Sequence, residues 1–331
     1  MGTTRRSLLA AGSGGALLSV PWAPWRGLRA QPAVARNARA IVGYAPGGPT
    51  DTVARLYAEA IRGAFAPAVV VENRPGAGGR LAVEAVKAAP ADGTSFLVTP
   101  GSVVTLQPHV YPRQVRYDGL VDLIPVATMA LFATGLAVPA DHPARDLAGL
   151  VAWLRAQPPP VNYGSPAAGS GPQFIGGRLG QAVGVPLSHV PYRGAAPALQ
   201  DLLAGRLPFM LAVLSDLVPQ HGQGLRILAL SAPRRIARLP DVPTFAEAGY
   251  PSLTSEDWVG AFLPAGTPEA VVAGLHRAID AAAHRPDVRA GLERLEFQAT
   301  VLDPATLARR IRQERDEWGP VVQASGFQPD D

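Results

Sequence analysis

The chain has no cysteine. Disulfides, thiol nucleophiles and thiolate metal sites are therefore excluded. Charged residues fill only 17% of the 331 positions, well under the usual quarter. Beyond residue 35 no apolar run approaches the roughly 18 residues that a membrane-spanning helix needs. The apolar stretch from Val126 to Pro139 is too short. Six histidines stand at 109, 142, 189, 221, 276 and 284, in neither His-x-His nor His-Glu-x-x-His spacing. His276 and His284 fit one helix face, where surface placement is the better reading than a metal. There is no Gly-x-Ser-x-Gly elbow, so Ser165 and Ser170 lack sequence support as nucleophiles. No Walker motif exists, and Gly-x-Gly-x-x-Gly is missing from the first glycine turn. No catalytic residue, metal or cofactor is expected.

What the chain has in quantity is glycine and proline, 35 and 34 residues, on a background that is 47% apolar. Such a composition builds full cores joined by defined turns. Residues 40–44, 68–72, 95–99, 124–138, 160–163, 187–191, 207–213, 225–231 and 258–263 read as strands. Residues 52–62, 81–88, 146–156, 172–183, 195–204, 243–248, 268–284, 287–294 and 304–318 read as helices. Pro158-Pro159-Pro160 is a stiff loop. The alternation predicts parallel sheets with helices on both faces. The length suits two domains.

Residues 1–35 differ from the rest. They hold Arg5, Arg6, Arg26 and Arg29 and no acid, and Arg5-Arg6 precedes a weakly apolar run to Val20. This is the pattern of a signal peptide, with Thr4-Arg5-Arg6-Ser7-Leu8-Leu9 resembling a twin-arginine export signal. Cleavage after Ala35 is favoured over cleavage after Ala30. Taking four of the 30 basic residues away leaves 26, matching the 26 acids. The basic balance thus belongs to the leader and does not imply a nucleic-acid partner.

Two glycine-rich turns, about 120 residues apart, each follow a strand and open a helix. The first runs Tyr44-Ala45-Pro46-Gly47-Gly48-Pro49-Thr50-Asp51. The second runs Gly164-Ser165-Pro166-Ala167-Ala168-Gly169-Ser170-Gly171-Pro172. Proline at or near the first helical position gives up no needed N–H. Both turns leave backbone N–H groups open at a helix start, which suits an anion. Two half-sites facing each other across a cleft are expected. Asp51 divides evenly between helix capping and a direct role with ligand.

Several segments, in order and spacing, resemble the substrate-binding proteins of tripartite tricarboxylate transporters, often called the Bug family. They are YAPGGPTD (44–51) with Arg55, VVENRPGAGG (70–79), YDGLVDLIPVA (117–127), NYGSPAAGSGPQFIGGRL (162–179), HVPYRGAAPALQDLLAGRL (189–207), LRILALSAPRR (225–235), LPDVPTFAEAGYP (239–251) and DWVGAFLPAGTP (257–268). The resemblance implies a type II periplasmic-binding-protein-like α/β fold, with two α/β domains and a central ligand cleft. Residues 36–128 with 257–331 would form one domain and 129–256 the other, the stretches 124–138 and 258–263 crossing between them. It also implies a small carboxylate ligand, integral-membrane transporter subunits as partners, and a periplasmic location. A monomer is expected. By position the ligand residues are Tyr44, Pro46, Gly47, Gly48, Thr50 and Asp51 in the first loop and Ser165, Ala167, Gly169, Ser170 and Gly171 in the second. Gly101 and Ser102 would sit at the cleft edge and Tyr192 would close it. Gly47 and Gly48 are both candidates for positive φ. VVENRPGAGG is read as structural. Many relatives carry an aspartate where Ala212 stands, so a less polar distal ligand group is expected.

Two other functions compete: a ligand-sensing receptor for a membrane kinase, and an α/β hydrolase-type enzyme. The missing elbow argues against the enzyme. Replacing Arg5 and Arg6 together by lysine is expected to stop the protein reaching the periplasm, read by fractionation. Unchanged export would assign the leader to the general secretory route instead.

Overall fold

The computed structural model describes residues 33–327 and Gly2. Nearly all of the leader, including Arg5 and Arg6, lies outside the described residues. Residues 31–331 group into one compact unit.

The chain opens with β1 (Ala38–Val42), α1 (Pro49–Ala60), β2 (Val69–Asn73), α2 (Arg80–Lys87) and β3 (Ser95–Pro100). Two single-turn helices follow, α3 (Ser102–Thr105) and α4 (Gln107–Val110). The 17-residue strand β4 (Leu123–Pro139) leads to α5 (Leu147–Arg155), β5 (Val161–Ser165), α6 (Gly171–Val183), β6 (Leu187–Pro191) and α7 (Ala195–Leu203). Next come β7 (Met210–Val213), α8 (Leu214–Leu217), β8 (Leu225–Leu230) and β9 (Glu256–Pro264). The chain ends with α9 (Glu269–Ala283), α10 (Pro286–Glu293), β10 (Gln298–Ala299) and α11 (Pro304–Ser325).

Local chemistry explains the helix ends near the site. Pro49 occupies the first turn of α1 with Asp51 beside it, and the helix buries Val53, Ala54, Tyr57 and Ala58. α6 has Pro172 in its first turn and stops at Gly184 in the left-handed conformation, φ 70°.

The strands run in the order β2-β1-β3-β9-β4-β7-β5-β6, with β8 and β10 also on β4. β1 is parallel to β2 and β3, and β5 is parallel to β6 and β7. The centre is not parallel, contrary to expectation. β9 is antiparallel to both β3 and β4, and β4 is antiparallel to β7, β8 and β10. β4 is paired along most of its length: residues 123–133 pair with β9, the register shifting at 126 and 129, while 134–139 take β7 and β8. The apolar core divides on either side of this strand. One set of clusters gathers β1, β3, α1 and α9. The other gathers α5, α6, β7 and β8. The expected boundary at 128/129 therefore falls inside β4, and the one at 256/257 at the start of β9.

Other local expectations change. Residues 243–248 form turns, not a helix, because Thr244 bridges to Leu230 and Phe245 N–H donates to Leu230 O at 2.8 Å. α11 continues to Ser325, beyond residue 318. β7 starts at Met210 instead of 207.

Gly43 ties the base of the first loop to the RPGAGG segment. A Cβ there would lie 2.6 Å from Gly79 Cα and 2.8 Å from Gly79 O, both backbone. Gly43→Ala is expected to cost roughly 1–3 kcal/mol, as overpacking against atoms with no rotamer to yield. A shifted denaturant midpoint measures it; a midpoint equal to wild type contradicts the close approach.

Candidate ligand site

The first loop leaves β1 and enters α1. Gly47 has φ 83°, a left-handed conformation. Gly48 does not need it: its φ is −74° and ψ 168°. The requirement for glycine thus falls on Gly47 alone. Pro46 and Gly47 are exposed, Gly48 is half-buried and Thr50 is buried.

Asp51 is 1% exposed, and the loop uses its whole carboxylate. Oδ2 accepts from Gly47 N–H and from Arg55 Nε, each at 2.8 Å. Oδ1 accepts from Asn73 Nδ2 at 2.8 Å and from Arg55 Nη2 at 3.0 Å. Burial alone would push its pKa up, but the bonds from Arg55, Gly47 and Asn73 hold it below the ordinary carboxylate range. Asp51 is therefore spent on holding the loop, which leaves no oxygen free for a ligand. The N–H groups of Thr50 and Asp51 find no acceptor among the described residues.

The second loop starts at Ser165, fully buried at the end of β5. Ser165 Oγ lies 2.7 Å from His189 Nε2 and 3.1 Å from Ala167 O. Ser170 Oγ donates to the same carbonyl at 2.7 Å. Gly169 has φ 70°, and its N–H is taken by Gln173 Oε1 at 2.6 Å. Gly171 faces open space, with nothing within 4 Å of where a Cβ would stand. Burial drives the pKa of His189 down to about 4, so its ring is neutral near pH 7. His189 is a loop-positioning residue that the sequence did not single out. It becomes visible only when β6 is laid beside β5, Tyr163 opposite His189.

Residues 78–80 and 107–111 join the two loops. Tyr44 Oη donates to Gly78 O at 3.2 Å, and Gln107 Nε2 donates to the same carbonyl at 2.8 Å. Tyr111 Oη donates to Ala168 O at 3.3 Å, and its ring packs against Gly169. None of Gly78, Arg80, Gln107 or Tyr111 was singled out from the sequence.

Two expected ligand residues, Gly101 and Tyr192, have partners within the protein, and the position of Ala212 is also defined. Gly101 lies beneath Trp258: its N–H donates to Trp258 O at 2.7 Å, and a Cβ would sit 2.3 Å from the indole ring. Its lack of a side chain is required by that packing, and the next residue, Ser102, lines the cavity described below. Tyr192 gives its hydroxyl to Asp201 Oδ2 at 2.6 Å. Ala212 is fully buried opposite Gly135 in an apolar cluster.

A cavity of about 550 Å³ lies among β4, β9, α6 and α11. Of the expected residues only Ser102 and Gly171 line it. Its wall holds Asp257, whose pKa burial and then Glu314 push up to about 7. Glu314 accepts from Arg310 Nε at 2.6 Å and from Trp258 Nε1 at 2.9 Å. Among the described residues, no three His, Asp or Glu side chains stand together to hold a metal.

The family model described as tripartite tricarboxylate transporter family receptor matches residues 53–327. The chain belongs to that family. A Pseudomonas sp. protein from the tcbD–tcbE intergenic region is 34% identical over 284 residues, 85% of this chain and 84% of its own. An R. palustris protein solved with adipate is 29% identical with TM-score 0.80, covering 89% of this chain and 99% of that one. MatC of Rhodopseudomonas palustris, solved with bound malate, is 31% identical with TM-score 0.75, over 87% and 99% of the two chains. The fold is thus the periplasmic-binding-protein type that the family resemblance implied. The family consists of receptors.

Removing a clamp from either loop has a readable cost. Asp51→Ala strands the Gly47 N–H and the Asn73 amide, and is expected to destabilise by roughly 1–3 kcal/mol in chemical denaturation. An unchanged midpoint would show that the carboxylate does not hold the loop. For His189 the folded pKa lies below the ordinary value, so the unfolded chain takes the proton first. Its contribution to stability therefore falls as pH drops from about 6.5 towards 4. Melting temperatures between pH 7 and 4 should fall more steeply for wild type than for His189→Gln; equal slopes would refute the buried neutral ring.

Proposed function

We propose that this chain is a periplasmic solute receptor. It holds a small carboxylate between two lobes and presents it to the membrane subunits of a tripartite tricarboxylate-type transporter. Residues 36–128 with 257–331 form one lobe and 129–256 the other, with β4 and β9 crossing between them. The leader delivers it to the periplasm. The observation that supports the reading is two helix N-termini with N–H groups that find no acceptor among the described residues, the first loop bonded through Tyr44 to Gly78 and the second through Ala168 to Tyr111. The adipate and malate of the two R. palustris neighbours are ligands of the right chemistry. Thr50, Asp51 and Gly171 offer backbone N–H groups. Gly47 and Gly48 let the chain come close, and ordered water can complete the contacts.

A hydrolase reading meets a specific obstacle in Ser165. Its hydroxyl has two partners, His189 Nε2 at 2.7 Å and Ala167 O at 3.1 Å, and Ala167 O also takes Ser170 Oγ, so the group is built into the loop's own network. A nucleophile needs its hydroxyl turned to a base and open to substrate. The serine is also fully buried.

Mass spectrometry of gently purified protein should find a retained carboxylate, and calorimetry should then give its affinity. Gly47→Val is expected to abolish that binding while the protein stays folded, because φ 83° is closed to a β-branched residue. Ser170→Ala, which loses one hydrogen bond to Ala167 O, should weaken binding by roughly 1 kcal/mol. Gly47→Val binding as tightly as wild type would overturn the two-loop site.

A further inference from the structure

Arg80 opens α2, directly after the glycines that pack under Tyr44. Its guanidinium lies over the Tyr111 ring, 4.2 Å from the centroid. One of its nitrogens passes 3.8 Å from where a Gly78 Cβ would stand. Gly78 O anchors Tyr44 of the first loop, and Tyr111 Oη reaches Ala168 of the second. The cation therefore sits between the two loops, half-buried on an aromatic face.

Among the described residues, Arg80 makes no side-chain hydrogen bond and no ion pair. Glu84, one turn along α2, does not come within 4.0 Å. Arg55 and Arg74, by contrast, are both paired, with Asp51 and Glu72. Even Gln107 Oε1, buried at the same carbonyl and lacking a donor, is not taken by Arg80. Five N–H donors in a planar fork are thus unspent beside two anion-ready helix starts. The aromatic face holds the plane in place at a favourable cation–π distance. A held, unpaired guanidinium matches a carboxylate in both charge and shape.

We infer that Arg80 is the specificity residue of the site: it takes a second anionic group of the ligand while the loop N–H groups take the first. The receptor selects linear dicarboxylates over monocarboxylates of equal length. This rests on the carboxylate-receptor reading above. It adds a contact that the loops cannot supply, because backbone N–H groups read one carboxylate and not what is attached to it.

The test is calorimetry with paired probes, succinate against butyrate, adipate against hexanoate, and pimelate against heptanoate. Wild type, Arg80→Gln and Arg80→Lys are compared at one ionic strength. Wild type should favour at least one dicarboxylate over its partner by about tenfold or more, the scale of one charge-assisted hydrogen bond. In Arg80→Gln that ratio should fall towards one, and Arg80→Lys should restore part of it, since the charge returns without the fork. A loss of packing on Tyr111 alone would weaken both members of a pair and leave their ratio in place. Dicarboxylate selectivity retained in Arg80→Gln overturns the assignment of Arg80 and leaves the receptor reading intact. Wild type that binds monocarboxylates equally well does the same. Wild type that binds none of the probes or any other carboxylate overturns both.

Discussion

The geometry of the first loop depends on one buried carboxylate. Asp51 accepts four hydrogen bonds from three parts of the chain: the loop's Gly47, the helix's Arg55 and the strand β2's Asn73. A carboxylate out of water is costly unless its oxygens are filled. Here the filling is complete, and it draws β1, β2 and α1 to one point. With the loop so fixed, Gly47 keeps its left-handed turn and Tyr44 is placed on Gly78. Arg80 and Tyr111 then fall between the loops. The site is a consequence of that clamp more than of any residue that would touch a ligand.

A second constraint is topological. β4 leaves one core and enters the other, and β9 lies beside it in the opposite direction. A pair of strands running oppositely between two cores must be antiparallel, which is why the centre of the sheet departs from the parallel pattern at its edges. The same pair keeps the hydrogen-bonded path unbroken. Relative movement of the halves would therefore twist β4 and β9 instead of opening a linker.

Much of this was legible in the sequence because the elements are long or strongly apolar. β4, β9, α1, α6 and α9 are found within a few residues of where periodicity puts them. The two loops were legible from their glycine-rich turns between a strand and a proline-started helix, and the resemblance carried the fold. Local pattern failed where a single turn decides. α3, α4 and α8 have four residues each, too few to show a helical period. Residues 243–248 carry a helical look but are tied by a bridge to Leu230, a partner far along the chain. Site residues were lost for the same reason. Arg80, Tyr111 and His189 acquire meaning only through neighbours 24 or more residues away. Gly101 was read as a ligand contact because glycine after a strand suits a cleft, yet its lack of a side chain makes room for Trp258.

The two loops offer the same donors but are fixed by opposite means, and this has an electrostatic consequence. The first is held by an ionised acid lying within the positive end of α1, which by itself would repel an incoming anion. Arg55 cancels that charge with two bonds to the same carboxylate, so the N–H groups keep their pull. The second is held by neutral groups, Ser165, His189 and the Ala167 carbonyl, and nothing offsets the dipole of α6. Both loops thus present a net attraction for negative charge that carries no full positive charge of its own. The attraction is short in range and falls off within a turn of each helix. A ligand longer than one carboxylate extends beyond it, and Arg80, held over the Tyr111 ring, is an unpaired full charge beside the loops.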